Sequence, residues 1–124
     1  MSLKAGDIIT FERTFKAEDV ALFIKVSGDE GSHHVTPDEQ GRLVIQGLLT
    51  ATLPTKIGGD NNVLARTMNF EFLRPVFTGD TIICKATIEQ FEKQNNRTHI
   101  TASFLCENQH KKEVMRGDFS GVIL

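Results

Sequence analysis

The chain has 124 residues, 40% apolar and 24% charged, with a formal net charge of −2 at pH 7. That length supports a single domain, residues 1–124, with one core and no second one. Its 14 Lys and Arg are dispersed, which excludes a basic nucleic-acid footprint; no apolar run can cross a membrane and no leader opens the sequence, so a cytoplasmic globular protein is expected.

Residues 7–15 read as a first strand, with Ile9 and Phe11 on one face. Lys16 to Val26 reads as a short amphipathic helix. Its Ala17, Val20, Ala21 and Ile24 recur at helical spacing, and Gly28 lies just beyond. Residues 29–42 are polar, contain Pro37 and Gly41, and read as loop. Leu43 to Ile57 is apolar nearly all round, which is the pattern of a buried helix. Pro54 removes one hydrogen bond from that helix, so a bend or an early end is expected near Leu53.

From Leu64 the period changes to two. Met68, Phe70 and Phe72 alternate with polar residues, and Arg74-Pro75 ends the run. After the turn at Thr78-Gly79-Asp80, Ile82, Cys84, Ala86 and Ile88 form one inward row. Ile100, Ala102, Phe104 and Cys106 form another, and residues 113–123 make the last strand. Five strands with short polar connections favour antiparallel pairing, and one buried helix beside them gives an α+β domain. Cys84 and Cys106 sit in alternating apolar runs without CxxC spacing, so they read as small core residues.

The chemistry-bearing residues concentrate in one stretch, Ser27-Gly28-Asp29-Glu30-Gly31-Ser32-His33-His34. A carboxylate and an imidazole five residues apart, Asp29 and His34, can face one water molecule if the loop bends back. Gly47, near the start of the apolar helix, would place backbone N–H groups and a partial positive charge close by. Each residue also has a plainer reading. Asp29 suits a turn or a cap after Gly28, His34 suits a surface loop, and Gly47 suits close packing. Thr55 suits an ordinary helix position, and Gly79-Asp80 a turn. His33 is expected to face solvent, opposite His34. Asp29, Glu30, His33 and His34 lack a further group to complete a ligand set, so no metal and no cofactor are expected.

Three blocks resemble a known family. Phe23-Ile24-Lys25-Val26-Ser27-Gly28-Asp29 with His34 is similar to the Phe-x-x-x-Ser-Gly-Asp-x-Asn-Pro-x-His signature of MaoC-like (R)-specific enoyl-CoA hydratases. Ile45-Gln46-Gly47-Leu48-Leu49 resembles the family's Val-His-Gly-Met-Leu. Phe72-Leu73-Arg74-Pro75-Val76-Phe77-Thr78-Gly79-Asp80-Thr81 resembles its Phe-x-x-Pro-Val-x-x-Gly-Asp-Thr.

The resemblance implies a hot-dog fold, a curved antiparallel sheet of about five strands wrapped around a central helix. It also implies hydration of trans-2-enoyl thioesters to (R)-3-hydroxyacyl thioesters, and the reverse. Asp29 and His34 then match the catalytic pair, and Gly47 the backbone donor to the thioester oxygen. Thr55 matches a residue that helps to hold the Asp. The implied partners are an acyl-CoA or acyl-carrier-protein thioester and a second copy of the chain, in a homodimer or higher even oligomer. The chain departs from the pattern at Gly31 and Ser32, where the family has Asn and Pro, and at Gln46, where it has His. The loss of that Asn and of that His leaves a second reading, a non-catalytic acyl-CoA-binding or regulatory module; an acyl-CoA thioesterase of the same fold is a third, less favoured by the Ser-Gly-Asp…His spacing.

Overall fold

The computed structural model describes residues 3–124. The elements in chain order are β1 (Ile8–Thr14), α1 (Ala17–Ser27), α2 (Ser32–Val35), α3 (Gly47–Thr50), α4 (Thr52–Asp60), β2 (Val63–Phe72), β3 (Thr81–Gln94), β4 (Arg97–Glu107) and β5 (Glu113–Ile123).

Helix α1 follows from local chemistry. The Lys16 N–H donates to the Asp19 carboxylate at 2.8 Å, acidic Glu18 and Asp19 occupy the first turn, and Lys25 lies in the last, each favourable to the helix dipole. Gly28 ends the helix in the left-handed region at φ 73°, with its N–H donating to the Ile24 carbonyl at 2.8 Å.

The apolar run expected to be one helix from Leu43 to Ile57 serves two purposes. Its first part is extended: the Ile45 N–H donates to the Val76 carbonyl at 2.7 Å, and Val44 bridges Phe77. The helix therefore begins at Gly47 and continues to Asp60. It is interrupted at Ala51, between α3 and α4. Pro54 has no N–H for the Thr50 carbonyl four residues earlier, and the break falls at that point. A bend or an early end is expected near Leu53, and the interruption lies two residues before it.

The five strands form one antiparallel sheet in the order β1-β3-β4-β5-β2. β2 crosses over to pair with β5 instead of its chain neighbour β3. The close approach uses Gly117, opposite Phe70 in the register, because a Cβ there would run into the Asn69 carbonyl and the Phe104 ring. Ile82, Cys84, Ala86 and Ile88 of β3 and Ile100, Ala102, Phe104 and Cys106 of β4 are all buried, as the period of two requires. Cys84 and Cys106 are register partners, buried and free. Their mutual hydrogen bond, then burial, pushes the Cys106 thiol well above its ordinary range.

Helix α4 packs against β1, β2 and β3, and so against both edges of the sheet. Flat, those edges would stand roughly 19 Å apart at the usual strand spacing. The sheet therefore curls around the helix, and the architecture is the α+β hot-dog fold. Leu53, Ile57 and Phe119 lie in the core so enclosed. Among the described residues no helix is long and apolar enough to cross a membrane.

Candidate active site

The segment after α1 folds back on itself through short-range hydrogen bonds. The Ser27 hydroxyl donates to the Phe23 carbonyl at 2.7 Å and accepts the Asp29 N–H at 3.0 Å. The Asp29 carboxylate accepts the Gly31 N–H at 3.3 Å, and the His34 N–H donates to the Gly31 carbonyl at 2.8 Å to open the single turn of α2. Gly31 sits between the two side chains. A Cβ there would lie 3.1 Å from the His33 ring, 3.3 Å from the His34 ring and 3.5 Å from the Asp29 carboxylate.

His34 is buried and held from behind. Its Nδ1 lies 2.6 Å from the Val44 carbonyl oxygen, while the Val44 N–H donates to the His33 carbonyl at 3.0 Å. A carbonyl only accepts, so Nδ1 carries the hydrogen, and in the neutral ring Nε2 carries the lone pair. That Nε2 stands 3.6 Å from Asp29 Oδ2, with the His34 side chain 7% exposed and that of Asp29 49% exposed. The separation is too long for a direct hydrogen bond, yet short enough for one water to contact both atoms.

The pair opens on a cavity of about 710 Å³, within the range of small-molecule sites. Phe23, Val44, Leu48, Phe72 and Val76 give it apolar walls, and Arg74 lines it as well. Gly47 also lines it. As the first residue of α3, Gly47 has an N–H with no intrahelical acceptor. The plainer reading of Gly47 is physically present too, since a Cβ there would come within 2.9 Å of the Phe72 ring. Close packing and an available N–H coexist at this residue. The structure thus brings Asp29, His34 and Gly47 round one cavity.

It does not bring Thr55 there. Thr55 donates its hydroxyl to the Ala51 carbonyl at 2.8 Å and lines a separate cavity of about 180 Å³ with Met68 and Phe119. Thr50, one turn into the helix from Gly47, lines the larger cavity in its place. His33 is exposed, as expected. Its ring lies 3.9 Å from that of His34, centroid to centroid, and reaches the same cavity. The two residues belong to a helical turn, where neighbours diverge by about 100° instead of the 180° of an extended segment.

Gln46 lines the cavity as well, and sequence reasoning gave it no role. The residue is 1% exposed, and neither its Oε1 nor its Nε2 has a hydrogen-bond partner among the described residues. Leaving such groups unpaired typically costs about 1–3 kcal/mol each. The available signal was a polar residue inside the apolar run Leu43–Ile57.

Residues 40–103 match the Thioesterase superfamily, and the chain belongs to it. Over 120 residues the chain is 25% identical to the mitochondrial 3-hydroxyacyl-[acyl-carrier-protein] dehydratase of Arabidopsis thaliana, covering 91% of this chain and 72% of that protein. Its fold matches that of an (R)-hydratase of Pseudomonas aeruginosa in the unliganded form with a TM-score of 0.85, at 19% identity over 98% of this chain and 81% of that one. The (R)-hydratase from A. caviae involved in PHA biosynthesis gives a TM-score of 0.85 at 22% identity, over 99% and 98% of the two chains. These structures share the hot-dog fold, in agreement with the resemblance to the MaoC-like family.

Proposed function

We propose that this chain adds water to, and removes it from, acyl thioesters, interconverting trans-2-enoyl and (R)-3-hydroxyacyl forms. The observation that carries the reading is the 3.6 Å separation of His34 Nε2 and Asp29 Oδ2 at the wall of an apolar cavity that Gly47 also lines. The named activities of the Arabidopsis, Pseudomonas and A. caviae proteins support the same class of reaction.

In the hydration direction, water sits between the two side chains, donating one hydrogen to the Asp29 carboxylate and the other to His34 Nε2. The thioester carbonyl accepts the Gly47 N–H and withdraws electrons from the double bond. Nε2 takes a proton as the water oxygen bonds to the β-carbon, and the π electrons move to give an enolate-like thioester. The same Nε2 proton then passes to the α-carbon, so that H and OH are both added and the imidazole is restored. Asp29 stays ionised and stabilises the imidazolium. A positioned base is typically worth about 10²–10⁴-fold, and a backbone donor to the oxygen about 3 kcal/mol of barrier.

Asp29→Asn and His34→Ala are each expected to lower crotonyl-CoA hydration by about 10³-fold. Loss of the enoyl absorbance measures this, and unchanged melting shows that folding is intact. Wild-type turnover in both variants would overturn the reading. Membership of the Thioesterase superfamily favours a second reading, in which the same water attacks the carbonyl carbon and frees the thiol. A thiol reagent added to the same assay distinguishes the two, because hydration releases none.

The chain is further proposed to act as a homodimer joined along β2. That strand is one edge of the sheet, and it exposes Leu64 and Phe72.

A further inference from the structure

We infer that Arg74 is a substrate-binding residue that recognises the phosphate of a phosphopantetheine arm. That group is common to acyl-CoA and acyl-carrier-protein thioesters, and the inference rests on the proposed hydratase reading. The ionisable residues lining the larger cavity are Asp29, His33, His34 and Arg74. The first three belong to the stretch after α1, whereas Arg74 follows β2 and is exposed. The extended segment 43–45 lies between the two groups. On one side the Val44 N–H donates to the His33 carbonyl, and on the other the Ile45 N–H donates to the Val76 carbonyl. Arg74 therefore lines the cavity across that segment from the Asp29–His34 pair.

The guanidinium is held in place without being neutralised. Arg74 Nη1 donates to the Glu113 carbonyl at 2.7 Å, and the Arg74 backbone N–H lies 3.4 Å from the Val114 carbonyl oxygen. Arg42, Lys56 and Arg116 pair with carboxylates elsewhere, and among the described residues no ion pair involves Arg74. A guanidinium carries its N–H donors in a planar fork, so those not engaged by Glu113 can take two oxygens of one phosphate. The proposed reaction sets the direction from which that phosphate comes. A thioester runs in the order β-carbon, α-carbon, carbonyl, sulfur. With the β-carbon at the Asp29–His34 pair and the carbonyl oxygen at the Gly47 N–H, the sulfur and the arm behind it leave on the side away from the pair. That is the side on which Arg74 stands. The arm is long, so its phosphate comes to rest at the rim of the cavity, where an exposed cation meets it.

The test compares the crotonyl thioesters of pantetheine, phosphopantetheine, coenzyme A and acyl-carrier protein, followed by loss of the enoyl absorbance. In the wild type, kcat/KM for the phosphopantetheine ester is expected to exceed that for the pantetheine ester at least tenfold. Arg74→Gln should bring the two within twofold of each other, chiefly by raising KM for the phosphorylated ester. Arg74→Lys, which keeps the charge but not the fork, should recover part of the preference. Added salt should erode the preference of the wild type and leave the ratio in Arg74→Gln where it is. The coenzyme A and carrier-protein esters carry a phosphate at the same place and should lose by a similar factor. An equal loss on the pantetheine ester overturns the inference, because Arg74 then only ties the end of β2 to β5. So does a loss confined to the coenzyme A ester, which assigns Arg74 to the adenosine phosphates, or one confined to the carrier-protein ester, which assigns it to that protein's surface. Hydration by the wild type without a preference for the phosphate overturns this inference alone. If the wild type hydrates none of these esters, the hydratase reading itself fails, and this inference with it.

Discussion

His34 shows how much a single side chain depends on what lies behind it. Its ring is fixed by the Val44 carbonyl, so only Nε2 is free to act. Between it and Asp29 lies Gly31, whose dihedrals of φ −50° and ψ 143° suit any residue, so its small size is what the site uses. Gly31→Ala is therefore expected to fold normally. Its methyl group, 3.1–3.5 Å from His33, His34 and Asp29, should spread the pair by a few tenths of an ångström and lower kcat about tenfold. Steady-state kinetics with a melting control checks this. At this scale the sequence was only partly readable. The spacing of Asp29, His34 and Gly47 was visible because each lies at a turn or a helix start. The enclosure of Gln46 was signalled only by a polar residue within an apolar run, and the cavity wall it joins is recorded by no local pattern. Thr55 was placed by the resemblance alone, and it lines the separate cavity with Met68 and Phe119.

Among the elements, the segment between α2 and α3 links charge to site geometry. The Asp38 carboxylate accepts the N–H groups of Gln40 and Arg42 at 2.9 and 2.8 Å, and its other oxygen takes the Arg42 guanidinium at 2.9 Å. The Arg42 guanidinium lies 3.8 Å above the Phe77 ring, beside the Val44–Phe77 bridge that leads to His34. These bonds, foremost that from the Arg42 N–H, hold the Asp38 carboxyl below its ordinary value. A lowered folded value means that the contribution is present above the ordinary carboxylate range. It is lost as pH falls through the folded value. Wild type should therefore melt above Asp38→Asn at neutral pH, and the gap should close as pH drops below about 4. Thermal melts across that range measure it. The strands were the most legible elements, because a period of two survives in any context that buries one face. The run from Leu43 to Ile57 was less so: extended and helical backbone both accept a continuous apolar sequence, and only the hydrogen bonds of residues 43–45 to residues 76–78 separate them.

At the scale of the whole molecule, the sheet is open, with β1 and β2 as its edges. Strand order was not legible, because the pairing of β2 with β5 rests on long-range contact and on the room left by Gly117. The unpaired side of β2 is the surface assigned above to a second copy. Leu64→Arg, at a residue 54% exposed, is expected to shift the protein to a monomer in sedimentation, with little change in the fold. An unaltered dimer would exclude that edge.

Phe72 ties together the two roles proposed for this edge. It belongs to β2, yet its ring rests on Gly47. A neighbour gripping that strand would therefore also set how far the ring stands from the helix start, and hence how easily a thioester oxygen reaches the amide there. Catalysis would then be a property of the pair. Specific activity should decline on dilution, in step with dissociation, and the midpoint of that decline should coincide with the dimer constant found by sedimentation.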